Sequence, residues 1–401
     1  MSRRPHQYDL CGGDTIITEP DVWSQYRPIP IRVSVWYNGT SRFGEAGPCD
    51  LAVHATNHAT SLSSVKGAPM RRSLFFLFLL SLNVTARADE PQPKVGERLP
   101  RRGDEIVVCG QLYHTTTKVI LWTDPGGFDA YRVEPRFGPI DYKPTAAERE
   151  KSDVWNAHYN GRDRGLPKAE RERWRGGFDL PKLKEVVDQF VIHYDVAGTS
   201  RNCFETLQDK RGLSVHFMLD VNGTIYQSLD LKERAWHATK ANNRSVGIEV
   251  ANIGAYSPDH AAALGRWYHA GPDGKMRLVI PDAAKSPELT ASSVELKPSR
   301  NEPVVGTIQG QKLKQYDFTP QQYDALAKLT ATLCMIFPKI QCDYPRDASG
   351  ALLTKQIPPA EYDHYHGILG HYHVQTDKTD PGPAFQWDRL IDSSRKLMMA
   401  K

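Results

Sequence analysis

Two short apolar runs in this chain each carry one ionisable side chain. His193 sits near the end of Phe190-Val191-Ile192-His193-Tyr194, and Glu249 interrupts Val246-Gly247-Ile248-Glu249-Val250. A third segment, Gly370-His371-Tyr372-His373, concentrates histidines in the same way. An imidazole or carboxylate removed from water needs a hydrogen-bonding partner, an opposite charge or a metal. Any one of these histidines alone would more often be a satisfied core or surface residue. Together they favour a shared site over separately satisfied groups.

The surrounding periodicity describes an α/β chain. Phe190 to Tyr194 is apolar enough for a central strand, and Val246 to Val250 reads as another. Between them, Thr199 or Ser200 can cap a helix that carries Cys203, Phe204 and Leu207 on one face until Gly212 stops it. Val215, Phe217, Leu219 and Val221 then alternate with polar or smaller residues, and Asn222-Gly223 leads into Thr224-Ile225-Tyr226. Asn-Gly accepts the positive φ values of a type I′ turn, so a hairpin is predicted here. Thr319-Pro320-Gln321-Gln322 supplies an N-cap, a proline at the first helical position and a capping-box glutamine. The helix it opens has Tyr323, Leu326, Thr330, Leu333 and Phe337 on one stripe, and a last helix starts near Ala384 or Phe385.

Strands interleaved with helices, plus a hairpin, predict a mixed central β-sheet flanked by helices over residues 181–395. Residues 89–180 read as a linker and N-terminal elaboration, with short strands at Ile106-Val107-Val108-Cys109 and Val119-Ile120-Leu121-Trp122. The second ends at the turn Asp124-Pro125-Gly126-Gly127. Residues from about 256 to 317 are rich in Pro and Gly and too long for an ordinary loop, which marks a functional insertion.

Met70-Arg71-Arg72, the apolar run Leu74 to Leu82, and Ala86-Arg87-Ala88 follow the order of a secretory signal peptide over residues 70–88. The apolar run is about half of the roughly 20 residues a membrane-spanning helix needs, so no stable membrane span is expected. A signal is read at the N-terminus; translation is therefore expected to begin at Met70, with residues 1–69 a non-native upstream extension and the product periplasmic or extracellular. The net charge of +4 is not gathered into a dense Lys/Arg block and gives no sign of a nucleic-acid partner. Beyond Ala88, an oxidising compartment would permit disulfides among Cys109, Cys203, Cys334 and Cys342, with Cys334 and Cys342 close in sequence. The lack of a C-x-x-C motif disfavours a cysteine zinc knuckle.

From about Phe190 to Trp387 the chain resembles the zinc amidase family that includes bacterial N-acetylmuramoyl-L-alanine amidases and animal peptidoglycan recognition proteins. Five segments match in family order: Phe190 to Tyr194, Val215 to Gln227, Ala235-Trp236-His237-Ala238, Ser245 to Val250, and Gly370-His371 followed by Lys378-Thr379-Asp380-Pro381-Gly382-Pro383. The last is the most specific. The resemblance implies a metal held by His193, His371 and Asp380. Two imidazoles and one carboxylate suit a single Zn²⁺ and leave its fourth position to water. His366 and His373 compete with His371, which is preferred because it follows the glycine as in the family. His364 and His373 are then expected to be exposed or to support the ligands. An aspartate as third ligand resembles the bacterial members.

The same resemblance implies that Glu249 moves the proton from water to the leaving amine and that Lys378 stabilises the tetrahedral oxyanion. His237 is expected to contact substrate, with a hydrogen bond to a ligand as the alternative, and Trp236, Asn243 and Arg244 to line the groove. The implied reaction is hydrolysis of the amide between the lactyl group of muramic acid and L-alanine in peptidoglycan or muropeptides. A catalytically silent peptidoglycan-binding module is the rival reading, disfavoured by the joint presence of Asp380, Glu249 and Lys378. A purely structural zinc site would usually carry four protein ligands, and three are found. The chain departs from the family pattern in a slightly short interval from His371 to Asp380, in Val215 where some members have tyrosine, and in the insertion, which is expected to shape the groove.

Overall fold

The central strands are buried on both faces, and it is residue type, as along Ser245–Val250, that alternates between polar and apolar. The computed structural model describes residues 94–132, 136–137, 158–165, 168–173 and 177–400; residues 1–69 and the segment 70–88, expected to be a signal peptide, lie outside the described residues. Six strands form the central sheet: β1 (Val119–Leu121), β2 (Gln189–Tyr194), β3 (Phe217–Leu219), β4 (Ile225–Gln227), β5 (Ser245–Val250) and β6 (Gly367–Gly370). Their order is β6-β2-β5-β3-β4-β1. Neighbours run parallel except β3 and β4, which pair antiparallel, so the sheet is mixed as predicted.

Phe190 and Ile192 of β2, Phe217 and Leu219 of β3, and Val246, Ile248 and Val250 of β5 all enter the main hydrophobic core. There they meet Tyr323, Leu326 and Leu333 of one long helix and Leu390 and Ile391 of another. Alternation then sends His193, Ser245, Gly247 and Glu249 to the opposite face. Helix α1 (Ser200–Phe204) is capped by the Thr199 hydroxyl, which accepts from the Asn202 N–H at 3.3 Å. The long helices are α2 (Pro320–Ile336) and α3 (Trp387–Met399). The capping box of α2 forms as expected: Thr319 Oγ1 accepts from the Gln322 N–H at 3.1 Å, and the Thr319 N–H donates to Gln322 Oε1 at 2.9 Å.

The hairpin β3–β4 is present, but its turn differs from the two-residue type I′ predicted. Only Gly223 of the Asn-Gly pair has a positive φ, +86°. The Gly223 N–H donates to the Asp220 carbonyl at 2.9 Å, and the Asp220 carboxylate takes the Val221 N–H at 2.9 Å. A short acidic side chain that bonds its own backbone ends the strand early and lengthens the loop.

The N-terminal elaboration is built into the sheet. β1 pairs parallel with β4, and the hairpin Glu105–Val108/Gln111–His114 sends Ile106 and Val108 into the main core. Gln227 of β4 satisfies the Val107 backbone in both directions, at 2.7 and 2.8 Å. From the same elaboration, fully buried Arg162 donates to the carbonyls of Leu231 (3.0 and 2.9 Å), Asn243 (3.2 Å) and Ser245 (3.0 Å).

Residues 256–317 contain two hairpins, Tyr268–Ala270/Met276–Leu278 and Val304–Ile308/Gln311–Gln315. They also contribute to a separate apolar cluster with Leu264, Tyr268, Leu278, Ile280 and Leu289. Cys334 and Cys342 are both free thiols. Among the described residues, no helix is long and apolar enough to cross a membrane.

The Arg162 contacts generate a stability prediction. Replacing Arg162 with Met leaves three buried carbonyls without their charged donor, and should lower unfolding free energy by about 3–5 kcal/mol. Urea denaturation of the full chain measures this; a change within about 0.5 kcal/mol would mean that the elaboration is not tied to the core through Arg162.

Candidate metal centre

Strand register assembles the centre. In the parallel pair β2–β5, His193 stands opposite Glu249. On the other side of β2, Gly370 of β6 stands opposite Ile192. The next residue in each chain direction is therefore His193 on one strand and His371 beyond the other, which places the two imidazoles side by side. The loop carrying Asp380 is held over them by two contacts. Tyr372 N–H donates to the Asp380 carbonyl at 3.2 Å, and the Tyr194 hydroxyl meets Thr379 Oγ1 at 2.6 Å.

Three donor atoms converge. His193 Nδ1 is 3.0 Å from His371 Nδ1 and 2.8 Å from Asp380 Oδ2, and His371 Nδ1 is 3.1 Å from the same oxygen. All three residues are buried. Each Nδ1 carries at most one proton and an ionised carboxylate carries none, so protons can bridge only two of these three contacts. A cation between the three atoms satisfies all of them, and two imidazoles with a carboxylate are a donor set that first-row divalent metals accept.

The electrostatics favour the ligand forms. Burial, reinforced by the neighbouring His371, pushes the His193 pKa down to about 4, leaving a neutral imidazole. Burial alone would raise the Asp380 carboxyl, but His371 and His193 hold it well below the usual carboxylate range. Both ligand rings are also oriented from behind. His371 Nε2 lies 2.8 Å from Gln375 Oε1, an acceptor, so the proton sits on Nε2 and Nδ1 is free for the centre. His193 Nε2 meets His237 Nδ1 at 3.0 Å, and His237 Nε2 meets Ser245 Oγ at 3.2 Å. That series lets each ring donate outward from Nε2.

His237 thus bonds the candidate ligand His193. It lies across β5 at Gly247, where a Cβ would come within 2.5–2.7 Å of its ring atoms. Gln375, Ser245 and Gly247 were not singled out from sequence, although Gln375 stands four residues after His371, the spacing of one helical turn.

Glu249 lies on the adjacent strand, level with His193. Burial, followed by the carboxylates of Asp380 and Asp195, raises its pKa well above the ordinary value. Lys378 is a third exposed and pairs with Asp377 at 3.4 Å; its positive charge reaches both His193 and Glu249. Trp236 is half-buried, with its backbone N–H donated to Ser214 Oγ at 3.0 Å.

Asn243 and Arg244, expected to line a sugar or peptide groove, stand away from the three converging donor atoms. Ser245 pairs with Gln189, four residues before His193, so they belong to the other end of the strands, about 13 Å away along β2. Arg244 grips Asp188 with two bonds of 2.6 Å and donates to the Asp363 carbonyl at 2.8 Å. Asn243 Oδ1 accepts from Arg234 Nε. The reason is local charge pairing, because Asp188 and Arg244 immediately precede neighbouring parallel strands. His366 joins them through Asp188 at 2.9 Å. His373 accepts the Gly370 N–H at 2.8 Å and contacts the Leu353 carbonyl at 2.7 Å, so neither competes with His371. His364 is exposed.

Gly247→Ala should displace the His237 ring from His193 and weaken divalent-metal binding roughly 10- to 100-fold, the usual effect of losing such support. Competition with a chromophoric chelator measures the affinity. An unchanged value would remove His237 from the orientation of His193.

Residues 183–383 match the family described as N-acetylmuramoyl-L-alanine amidase. Among solved structures, the chain is similar to a selenomethionyl AmpD derivative, at 17% identity over 59% of this chain and 89% of that one, with a TM-score of 0.27. It is also similar to the E. coli amidase AmiD in complex with anhydro-N-acetylmuramic acid-L-Ala-D-gamma-Glu-L-Lys, at 19% identity, 55% and 59% coverage and a TM-score of 0.29. A third is the amidase LysC from Clostridium intestinale URNW, at 13% identity, 54% and 87% coverage and a TM-score of 0.26. No curated protein sequence matches the chain. The family match spans both sheet strands and both loops that build the centre, and the chain belongs to the N-acetylmuramoyl-L-alanine amidase family.

Proposed function

We propose that this chain hydrolyses the amide bond between the lactyl group of N-acetylmuramic acid and L-alanine, in peptidoglycan or soluble muropeptides, with one zinc ion held by His193, His371 and Asp380. The observation that carries this reading is the approach of three donor atoms to within 3.1 Å of one another beside Glu249. Zinc suits this donor set, and when bound it supplies Lewis acidity and a water acidified towards a pKa of about 7.

The chain's own residues do the rest. Burial and the carboxylates of Asp380 and Asp195 raise the affinity of the Glu249 carboxylate for a proton. That suits a group which must take a proton from water near neutral pH and return it to the leaving nitrogen. The Lys378 ammonium stabilises the amide oxygen as negative charge develops there. Neutral His237 and Gln375 keep the ligand rings facing inward.

Full-length protein incubated with a muramoyl-peptide should release the free peptide, identified by mass, and a chelator should abolish the release. Chelator-insensitive cleavage, or a cut within the peptide, would contradict the mechanism; binding without cleavage would favour the silent peptidoglycan-binding module. Glu249→Gln should still bind one zinc while losing roughly 10²- to 10⁴-fold in turnover, the usual contribution of a positioned acid–base group. Turnover equal to that of the unsubstituted chain would take Glu249 out of the reaction.

We further propose that the chain is exported, with Met70 as its first translated residue. The ordered basic, apolar and Ala-x-Ala segments over residues 70–88 support this. N-terminal sequencing of secreted product should begin at Asp89, and residues from before Met70 would refute the assignment.

A further inference from the structure

The long insertion ends in a hairpin, Val304–Ile308/Gln311–Gln315, whose tip is Gln309-Gly310. Both tip residues have positive φ, +51° and +75°, the geometry of a tight two-residue turn. A bridge between Tyr256 and Lys314 fixes the other end of the hairpin, with reciprocal backbone bonds of 3.0 and 2.7 Å. The hairpin therefore has a fixed base and a fixed turn, and two of its glutamines are directed at the loops behind the metal centre.

Gln309 Nε2 donates to the carbonyls of Tyr372 and Gln375, at 2.8 and 2.9 Å. These residues flank the turn that follows His371, and Gln375 is also the acceptor for His371 Nε2. Gln315 is fully buried. Its Nε2 donates to the Pro381 carbonyl at 3.1 Å, and its Oε1 accepts from the Ala384 N–H at 3.0 Å, so it spans the loop that begins at Asp380. The fit is close at two glycines. A Cβ on Gly382 would meet Gln315 Oε1 at 2.2 Å, and one on Gly306 would meet Pro383 Cβ at 2.7 Å.

We propose that this hairpin is a positioning clamp for the metal centre: Gln309 fixes the turn that carries His371, and Gln315 fixes the loop that carries Asp380. The inference rests on the reading of His193, His371 and Asp380 as the metal ligands. It gives the insertion a role in holding two of the three ligands, whereas sequence alone pointed to the groove. Neither glutamine touches the three donor atoms, so both act through the backbone they hold.

The test uses the full chain and zinc. Gln309→Ala removes both carbonyl contacts from a half-buried hairpin tip, and Gln315→Glu keeps the shape and the Ala384 contact while removing the donor to Pro381. Lys312→Ala, on the exposed face of the same hairpin, is the control. Zinc affinity by chelator competition should fall about 10-fold or more in both glutamine variants and stay unchanged in the control. Activity of the Gln309 variant should recover as free zinc is raised, which a general folding defect would not produce. Zinc affinity of Gln309→Ala and Gln315→Glu equal to that of the unsubstituted chain would overturn the clamp while leaving the ligand assignment intact. Failure of the unsubstituted chain to bind zinc would overturn both.

Discussion

The parallel, in-register pairing of β6, β2 and β5 is the constraint on which the rest of the site depends. It sets Glu249 opposite His193 and Gly370 opposite Ile192, so that a shift of one residue would turn His193 into the apolar core and bring a hydrophobic side chain to the centre. The core opposes such a shift. Phe190, Ile192, Val246, Ile248 and Val250 are all fully or almost fully buried against α2 and α3. The apolar face thus secures the polar one, and the precision of the centre derives from packing on the opposite side of the sheet.

Around that register, three kinds of support converge from distant parts of the chain. His237, Ser245 and Gly247 orient His193 from the polar face, while Gln375 orients His371. Arg162 and the Asp188–Arg244 pair hold the opposite ends of the strands. The hairpin Val304–Ile308/Gln311–Gln315 backs the two segments that carry His371 and Asp380. His193, His371, Asp380 and Arg162 each have two or more polar partners, which is how these groups are accommodated beside a hydrophobic core.

Much of this was legible in the sequence where local chemistry decides structure. The capping box at Thr319, the apolar stripe of α2 and the two strands bearing His193 and Glu249 follow directly from residue type and period. The three residues of the candidate metal site came only through the family resemblance carried by Gly370-His371 and the Lys378 to Pro383 string. The pairing of Arg244 was not legible, because it depends on strand direction, which carries Arg244 away from His193 and brings it beside Asp188. The turn at Asn222-Gly223 differed because the Asp220 side chain competes for its own backbone. Gln309 and Gln315 carried no signal at all. A glutamine that acts by holding a remote carbonyl has no characteristic spacing, and the strands of the insertion are too short to show a clear alternation.

The proposed ion is a single cation shared by His193 Nδ1, His371 Nδ1 and Asp380 Oδ2. Anomalous scattering at the zinc edge from crystals of the zinc-loaded protein tests it directly. A single strong peak is expected about 2.0–2.2 Å from each of these atoms, with no fourth protein ligand. A peak elsewhere in the molecule, or an ion enclosed by four protein donors, would contradict it.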